Sequence, residues 1–136
     1  MLEKVRAFEA TAMQMEQTSI ATEHIIHGGM YTRTVRVPAG IIFTGSLVKR
    51  ATMLIVNGCV AMVLNDGVTN LNGYNVIPAS AGRKQVFVTG GPVELTMMFP
   101  TAAKTVEEAE AEFTDEADLL LSRRQDNGDT ITITGE

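Results

Sequence analysis

The sequence predicts an all-β domain, a sandwich or barrel of short strands, framed by helical segments at its two ends. Three observations carry that expectation. Six segments between Tyr31 and Phe99 are rich in Val, Ile, Met, Thr and aromatic residues, in alternation or in short runs, as half-buried strands require. Glycine-containing pairs and triplets punctuate them with no helical period in between, which argues for a sandwich or barrel over a parallel α/β sheet. Helical spacing occurs on either side of this block, and a chain of 136 residues suits one domain with one core.

Residues 1–30 are expected to form a helical arm and lead-in. Leu2, Val5, Phe8, Ala12 and Met15 recur every three or four residues, so they share one helical face while Glu3, Lys4, Arg6 and Glu9 take the rest. Glu3, Glu9, Glu16 and Glu23 interrupt any apolar run. Neither a signal peptide nor a membrane span is therefore expected, and synthesis in the cytoplasm follows.

Residues 31–100 make the β block, with strands over Tyr31–Val37, Thr52–Val56, Cys59–Leu64, Tyr74–Ile77, Gln85–Val88 and Val93–Phe99. Turns are expected at Pro38-Ala39-Gly40, Asn57-Gly58, Asp66-Gly67, Asn72-Gly73 and Gly90-Gly91, because Gly and Asn tolerate positive φ; Asn57-Gly58 reads as the clearest hairpin. Residues 101–125 open with Thr105-Val106-Glu107-Glu108, a capping-box pattern. Acidic residues follow in the first turns and Arg123-Arg124 near the end, which complements the helix dipole and predicts a well-capped, solvated helix. In the tail, 126–136, Thr130-Ile131-Thr132-Ile133-Thr134 alternates like a strand, yet it has no evident partner within its own domain.

Charge is unevenly placed. The net charge is −5, but Tyr31 to Pro100 hold six basic residues (Arg33, Arg36, Lys49, Arg50, Arg83, Lys84) against two acidic ones (Asp66, Glu94), an excess of four. From Glu107 to Asp118 there are Glu107, Glu108, Glu110, Glu112, Asp115, Glu116 and Asp118 and no basic residue. Two faces of opposite sign are expected. The single Cys59 lies in an apolar run, which reads as a buried thiol in a reducing compartment. Met53, Met62, Met97 and Met98 fall in expected strands and read as core filling, while Met13 and Met15 could supply an interface stripe.

The order of turns resembles a known family. Val37-Pro38-Ala39-Gly40, then Leu54 to Gly67 with its Asn57-Gly58 and Asp66-Gly67, then Gly73-Tyr74-Asn75-Val76-Ile77-Pro78 is similar to the conserved core of the cupins, over roughly Val35 to Phe99. The resemblance implies a cupin-type jelly-roll barrel with an N-terminal amphipathic helix and a C-terminal acidic helix. It also implies where a metal would sit: metal-binding cupins carry a His-x-His pair and a Glu in the first window and a His in the second. Here the windows read Gly45-Ser46-Leu47-Val48-Lys49-Arg50-Ala51-Thr52-Met53 and Pro78-Ala79-Ser80-Ala81-Gly82-Arg83-Lys84-Gln85. Neither holds an imidazole or a carboxylate, and cations in both would repel a divalent ion. No cofactor and no metal-dependent chemistry is expected.

The only histidines, His24 and His27, form Glu23-His24-Ile25-Ile26-His27 with the preceding glutamate, a weak candidate metal group. A three-residue spacing aligns two imidazoles only on a helix, and a structural site needs a fourth ligand. Lys49, Arg50, Arg83 and Lys84 are the candidate ligand-binding residues, because the resemblance places their windows opposite one another at the barrel mouth, where they would grip a phosphate or carboxylate. Nucleic acid suits them poorly, since Trp is absent and the chain is acidic overall. Acid-base catalysis has only Asp66 and Glu94 to draw on in the block, and no catalytic residue is assigned.

Thr22-Glu23-His24, Gly29-Met30-Tyr31-Thr32-Arg33, Val37-Pro38-Ala39-Gly40 and Ala81-Gly82-Arg83-Lys84, followed by the Glu-rich helix, look like the small cupin-like proteins encoded among bacteriophage structural genes. That likeness implies a non-enzymatic virion-associated accessory protein (cement or decoration, tail or connector), made in the bacterial cytoplasm, with itself and other structural proteins as partners in a homo-oligomer. The alternative is a metal-free cupin that binds a small anionic metabolite such as a sugar, nucleotide or organic acid.

Overall fold

The computed structural model describes residues 20–64, 67–117, 120 and 129–136. Eight strands occur among them: β1 (Thr22–His27), β2 (Met30–Val37), β3 (Ile42–Thr44), β4 (Thr52–Leu64), β5 (Gly67–Leu71), β6 (Tyr74–Ala79), β7 (Val86–Pro100) and β8 (Thr130–Ile133). One helix, α1, spans Val106–Phe113 between β7 and β8. The amphipathic helix expected from Leu2 to Met15, the Asp66 turn residue and Arg123-Arg124 lie outside the described residues.

Two long strands organise the fold. The first half of β4, Met53 to Gly58, pairs with β6 on one side and with Val93 to Met98 of β7 on the other. Its second half, Val60 to Val63, pairs with β5 and with Val86 to Thr89 of β7. β2 continues beside the end of β7 and β3 beside its start. The result is one layer in the order β6-β4-β7-β2-β1-β8 and another in the order β5-β4-β7-β3, joined through the bends of β4 and β7. Strands that pair from the outside of the sequence inward, each long one shared between layers, are the pairing scheme of a jelly roll.

One core serves both layers. Leu54, Val56, Val60 and Met62 of β4 join Phe87, Val93, Leu95, Met97 and Phe99 of β7, with Tyr31 from β2 and Ala109 and Phe113 from α1. Period-two alternation decides who enters. In β4 Thr52, Leu54, Val56, Val60 and Met62 are buried while Met53, Asn57 and Cys59 are exposed.

That alternation corrects four expectations. Asn57-Gly58 is not a hairpin: β4 runs straight through it and only its register to β7 shifts there. Gly58 has φ +139, and a Cβ on it would collide with the Pro92 carbonyl oxygen, so the glycine marks a bend where two backbones meet. Gly90-Gly91 likewise lies inside β7. Cys59 is exposed rather than buried, because its apolar neighbours Val60 and Met62 hold the inward phase. Of the strand methionines, Met62 and Met97 fill the core, whereas Met53 is 41% exposed.

The ends differ from expectation too. Thr22–His27, placed in the lead-in before the first expected strand, is itself a strand, antiparallel to β2. The tail strand has a partner in its own domain after all: β8 runs parallel to β1, with Glu23 opposite Thr130 and Ile26 opposite Ile133. The acidic helix stops at Phe113, with Thr114 as its extended C-cap. Its start is as expected in one half of the capping box, since Thr105 Oγ1 accepts from the Glu108 amide at 3.2 Å; the Glu108 carboxylate turns to the Thr105 hydroxyl instead of the amide.

Candidate functional site

The two basic windows do meet. Val48 and Arg83 form an isolated antiparallel bridge, with the Val48 amide donating to the Arg83 carbonyl at 2.9 Å and the Gly82 amide to the Val48 carbonyl at 2.7 Å. Arg83 turns its guanidinium inward, donating to the Ser80 carbonyl at 2.6 Å, to the Arg50 carbonyl at 3.3 Å and to Thr52 Oγ1. Burial lowers its pKa from the usual arginine value. Arg50 lies over the Phe99 ring at 4.3 Å, a cation–π contact, while its buried Nε has no hydrogen-bond partner among the described residues.

The two lysines are engaged by the acidic segment that follows α1. Lys49 Nζ is 2.7 Å from Asp115 Oδ1, an exposed pair. Lys84 is buried and donates to Glu116 Oε1 at 3.0 Å, an oxygen that also accepts from the Leu47 amide at 2.7 Å. The Lys49 amide donates to the Phe113 carbonyl at 2.7 Å. The opposite charges expected on two separate faces are therefore brought into contact, and residues 113–116 close over the basic windows.

Deeper in, the structure joins residues that the sequence reading did not single out. Arg33 donates to Glu110 Oε2 at 3.0 Å, with both side chains nearly inaccessible at 11% and 2%. Glu110 is thus no member of a solvated acidic face; it sits on the buried side of α1 with Val106, Ala109 and Phe113. Arg33 also lies 5.7 Å from the Phe113 ring centroid and 3.5 Å from Tyr31 Oη. Tyr31 packs edge-on to Phe99 and stacks on Phe113.

Tyr31 Oη is in turn 2.8 Å from His24 Nδ1. His24 is fully buried, and its Nε2 lies 3.8 Å from Asp129 Oδ2. Asp129 Oδ1 accepts from the Thr22 amide. A chain of polar groups thus runs from Asp129 beside β8 through His24, Tyr31 and Arg33 to Glu110 on α1. If Tyr31 accepts from Arg33, its hydroxyl proton goes to His24 Nδ1 and leaves Nε2–H towards Asp129.

This disposes of the Glu23, His24 and His27 metal group. On a strand, neighbours alternate faces, so His24 points into the core while Glu23 and His27 lie on the other side. Glu23 pairs with Arg36 at 3.1 Å, and His27 reaches Thr134 Oγ1 at 2.8 Å. Among the described residues no three His, Cys, Asp or Glu side chains are grouped to hold a metal ion. Nor do the converged windows fit a cation, since they present Lys49, Arg50, Arg83 and Lys84. Glu94 lies on the outer face, paired with Arg36 at 2.8 Å.

Burial, and secondarily the charge of Arg33, lowers the pKa of His24 from its ordinary value of 6.5, with Glu110 and Asp129 opposing. The unfolded chain therefore takes up a proton near pH 6.5 that the native protein refuses. His24 costs nothing above that pH, and stability is expected to fall as pH drops from 6.5 to the lower native value. Urea unfolding at pH 7.0 and 5.5 checks this: the His24→Gln variant should lose less stability over that interval than the parent. Equal losses would show that His24 does not govern the acid limb.

The pairing and the buried polar chain define a jelly-roll protein whose basic windows are closed by its own acidic segment. No family model matches the chain, and no curated relative was found. Solved structures similar to it include the cupin domain of an XRE family transcriptional regulator from Enterobacter cloacae, at 8% identity over 61% of this chain and 99% of that one, TM-score 0.49. The Cnp3 cupin domain of Schizosaccharomyces pombe is 14% identical over 74% and 72% of the two chains, TM-score 0.49. An RmlC-like cupin with a double-stranded β-helix fold from Methanocaldococcus jannaschii is 11% identical over 63% and 84%, TM-score 0.49.

Proposed function

We propose that this cupin-like protein is a non-enzymatic assembly subunit, a virion-associated accessory protein of the phage cement, decoration, tail or connector kind, that works by homo-oligomeric contact with itself and with other structural proteins. One observation supports this reading most. The outer face of β4 and β6 carries an apolar surface: Ile55 lies opposite Val76 and Asn57 opposite Tyr74, Met53 lies opposite Met98 of β7, and Met53, Tyr74 and Val76 are 41%, 66% and 51% exposed. Contiguous exposed apolar residues on a flat sheet face are what subunit contacts are made of.

The anion-binding alternative has less in its favour, because Lys49 and Lys84 are paired with Asp115 and Glu116 and Arg83 is spent on carbonyls and Thr52. Catalysis has less still: His24 is held by Tyr31 and Asp129 and its side chain is only 1% exposed.

Native mass measurement tests the reading. At micromolar concentration the parent chain should exceed its monomer mass of 14.7 kDa, and Met53→Glu with Val76→Glu should lower the parent's native mass with unchanged circular dichroism. A parent that is monomeric throughout would refute the assembly role.

A further inference from the structure

We propose that β8 is a self-complementary docking edge, which pairs antiparallel with β8 of a second copy about a two-fold axis through Thr132. The proposal rests on the assembly reading for its role and names a surface apart from the β4–β6 face.

β8 ends the described sheet, with β1 as its neighbour, and all four of its residues are exposed, Ile131 by 54% and Ile133 by 47%. The phase of its backbone follows from one bond. The Thr134 amide donates to the Ile26 carbonyl, and the N–H and C=O of a strand residue point to the same side, alternating along the strand. The even residues therefore face β1. The N–H and C=O groups of Ile131 and Ile133 face away from it.

Edges of this kind are normally blunted by lysine, proline or a bulge. Thr130 to Thr134 has no charge and no proline. The strand is also held straight beyond its end, because the Gly28 amide donates to the Glu136 carbonyl at 3.0 Å, so it is presented to a partner at little ordering cost.

A second copy is the occupant that matches this edge. Antiparallel pairing centred on Thr132 sets Ile131 opposite Ile133 of the second copy, and Ile133 opposite its Ile131. These are the residues whose backbone groups face outward, so both pairs are hydrogen-bonded pairs. All four isoleucines then share one face, and threonine meets threonine on the other. Asp129 comes opposite Gly135, so no like charges are apposed. The contact is isologous, as a two-fold requires. Combined with the β4–β6 face it gives each copy two contacts, enough to extend an assembly.

Cysteine cross-linking tests the register. In this pairing Thr132 faces its own twin as a non-hydrogen-bonded pair, with Cα atoms about 4.5 Å apart, within disulfide reach. Two Thr130 residues stand about 13 Å apart along the strands. In a Cys59→Ser background, mild oxidation should convert Thr132→Cys to a dimer at least roughly tenfold more than Thr130→Cys, whereas a mixture of Thr130→Cys and Thr134→Cys chains should cross-link to each other. Adding Ile131→Asp should abolish the Thr132→Cys dimer, and the outer-face change Met53→Glu with Val76→Glu should leave it intact. Absence of the Thr132→Cys dimer, or equal cross-linking at Thr130, overturns the proposal. If the parent still assembles in that case, only the β8 contact falls; if the dimer forms but the outer-face variant keeps the parent's native mass, the β8 contact stands and the β4–β6 face is the part that fails.

Discussion

Replacing Glu110 by alanine is expected to destabilise the protein by about 3–5 kcal/mol, the usual consequence of leaving one partner of a buried ion pair without the other. Arg33 cannot give up its proton, and at 11% exposure it has little access to water. The pair also ties α1 to β2, beside the stacked rings of Tyr31 and Phe113. The double variant Arg33→Leu, Glu110→Leu should recover much of the loss, because two apolar side chains of similar volume remove the desolvation penalty together. Chemical denaturation of Glu110→Ala and of the double variant checks this. A loss below about 1 kcal/mol for Glu110→Ala, the range of a surface pair, would mean that water reaches Arg33.

Gly58→Ala is the second substitution with a large expected effect, about 3–5 kcal/mol of lost stability. Two causes add. At φ +139 an L side chain is strained, and its Cβ would collide with the Pro92 carbonyl oxygen and lie 2.9 Å from Val93 Cα, backbone atoms that cannot step aside without moving β7. Gly67 separates the causes, because it has the same φ of +139 but nothing within 4 Å of a Cβ. Gly67→Ala should therefore cost only the conformational part, about 1 kcal/mol. Thermal melts of both variants decide it: similar shifts would mean that the close approach of β4 and β7 at the bend contributes nothing.

Several strands were legible because their alternation is local. Tyr31–Val37 and Val93–Phe99 match β2 and most of β7's second half, and Thr105 with Glu108 marked the start of α1. Two site residues carried a signal that went unused. Arg33 shares the inward phase of Tyr31, Val35 and Val37, and Glu110 sits at helical spacing with Val106, Ala109 and Phe113. A charge on an apolar phase asks for a buried partner, and these two residues answer each other. His24 and Asp129 carried no such mark, being 105 residues apart and joined only when β8 lies beside β1.

The sequence by itself determined that the chain is mostly β and that neither basic window holds an imidazole or a carboxylate, since these depend on residue type and short-range period; that the two windows lie together was implied by the resemblance to the cupins. Tertiary structure alone decided that Asn57-Gly58 bends a strand instead of ending it, that the acidic segment pairs with the two lysines of the basic windows, and that the tail joins the sheet. The physical reason is common to all three. A glycine permits both a turn and a bulge, a carboxylate suits water and a lysine equally, and an alternating strand fits any free edge, so the outcome rests on which distant partner the fold brings alongside.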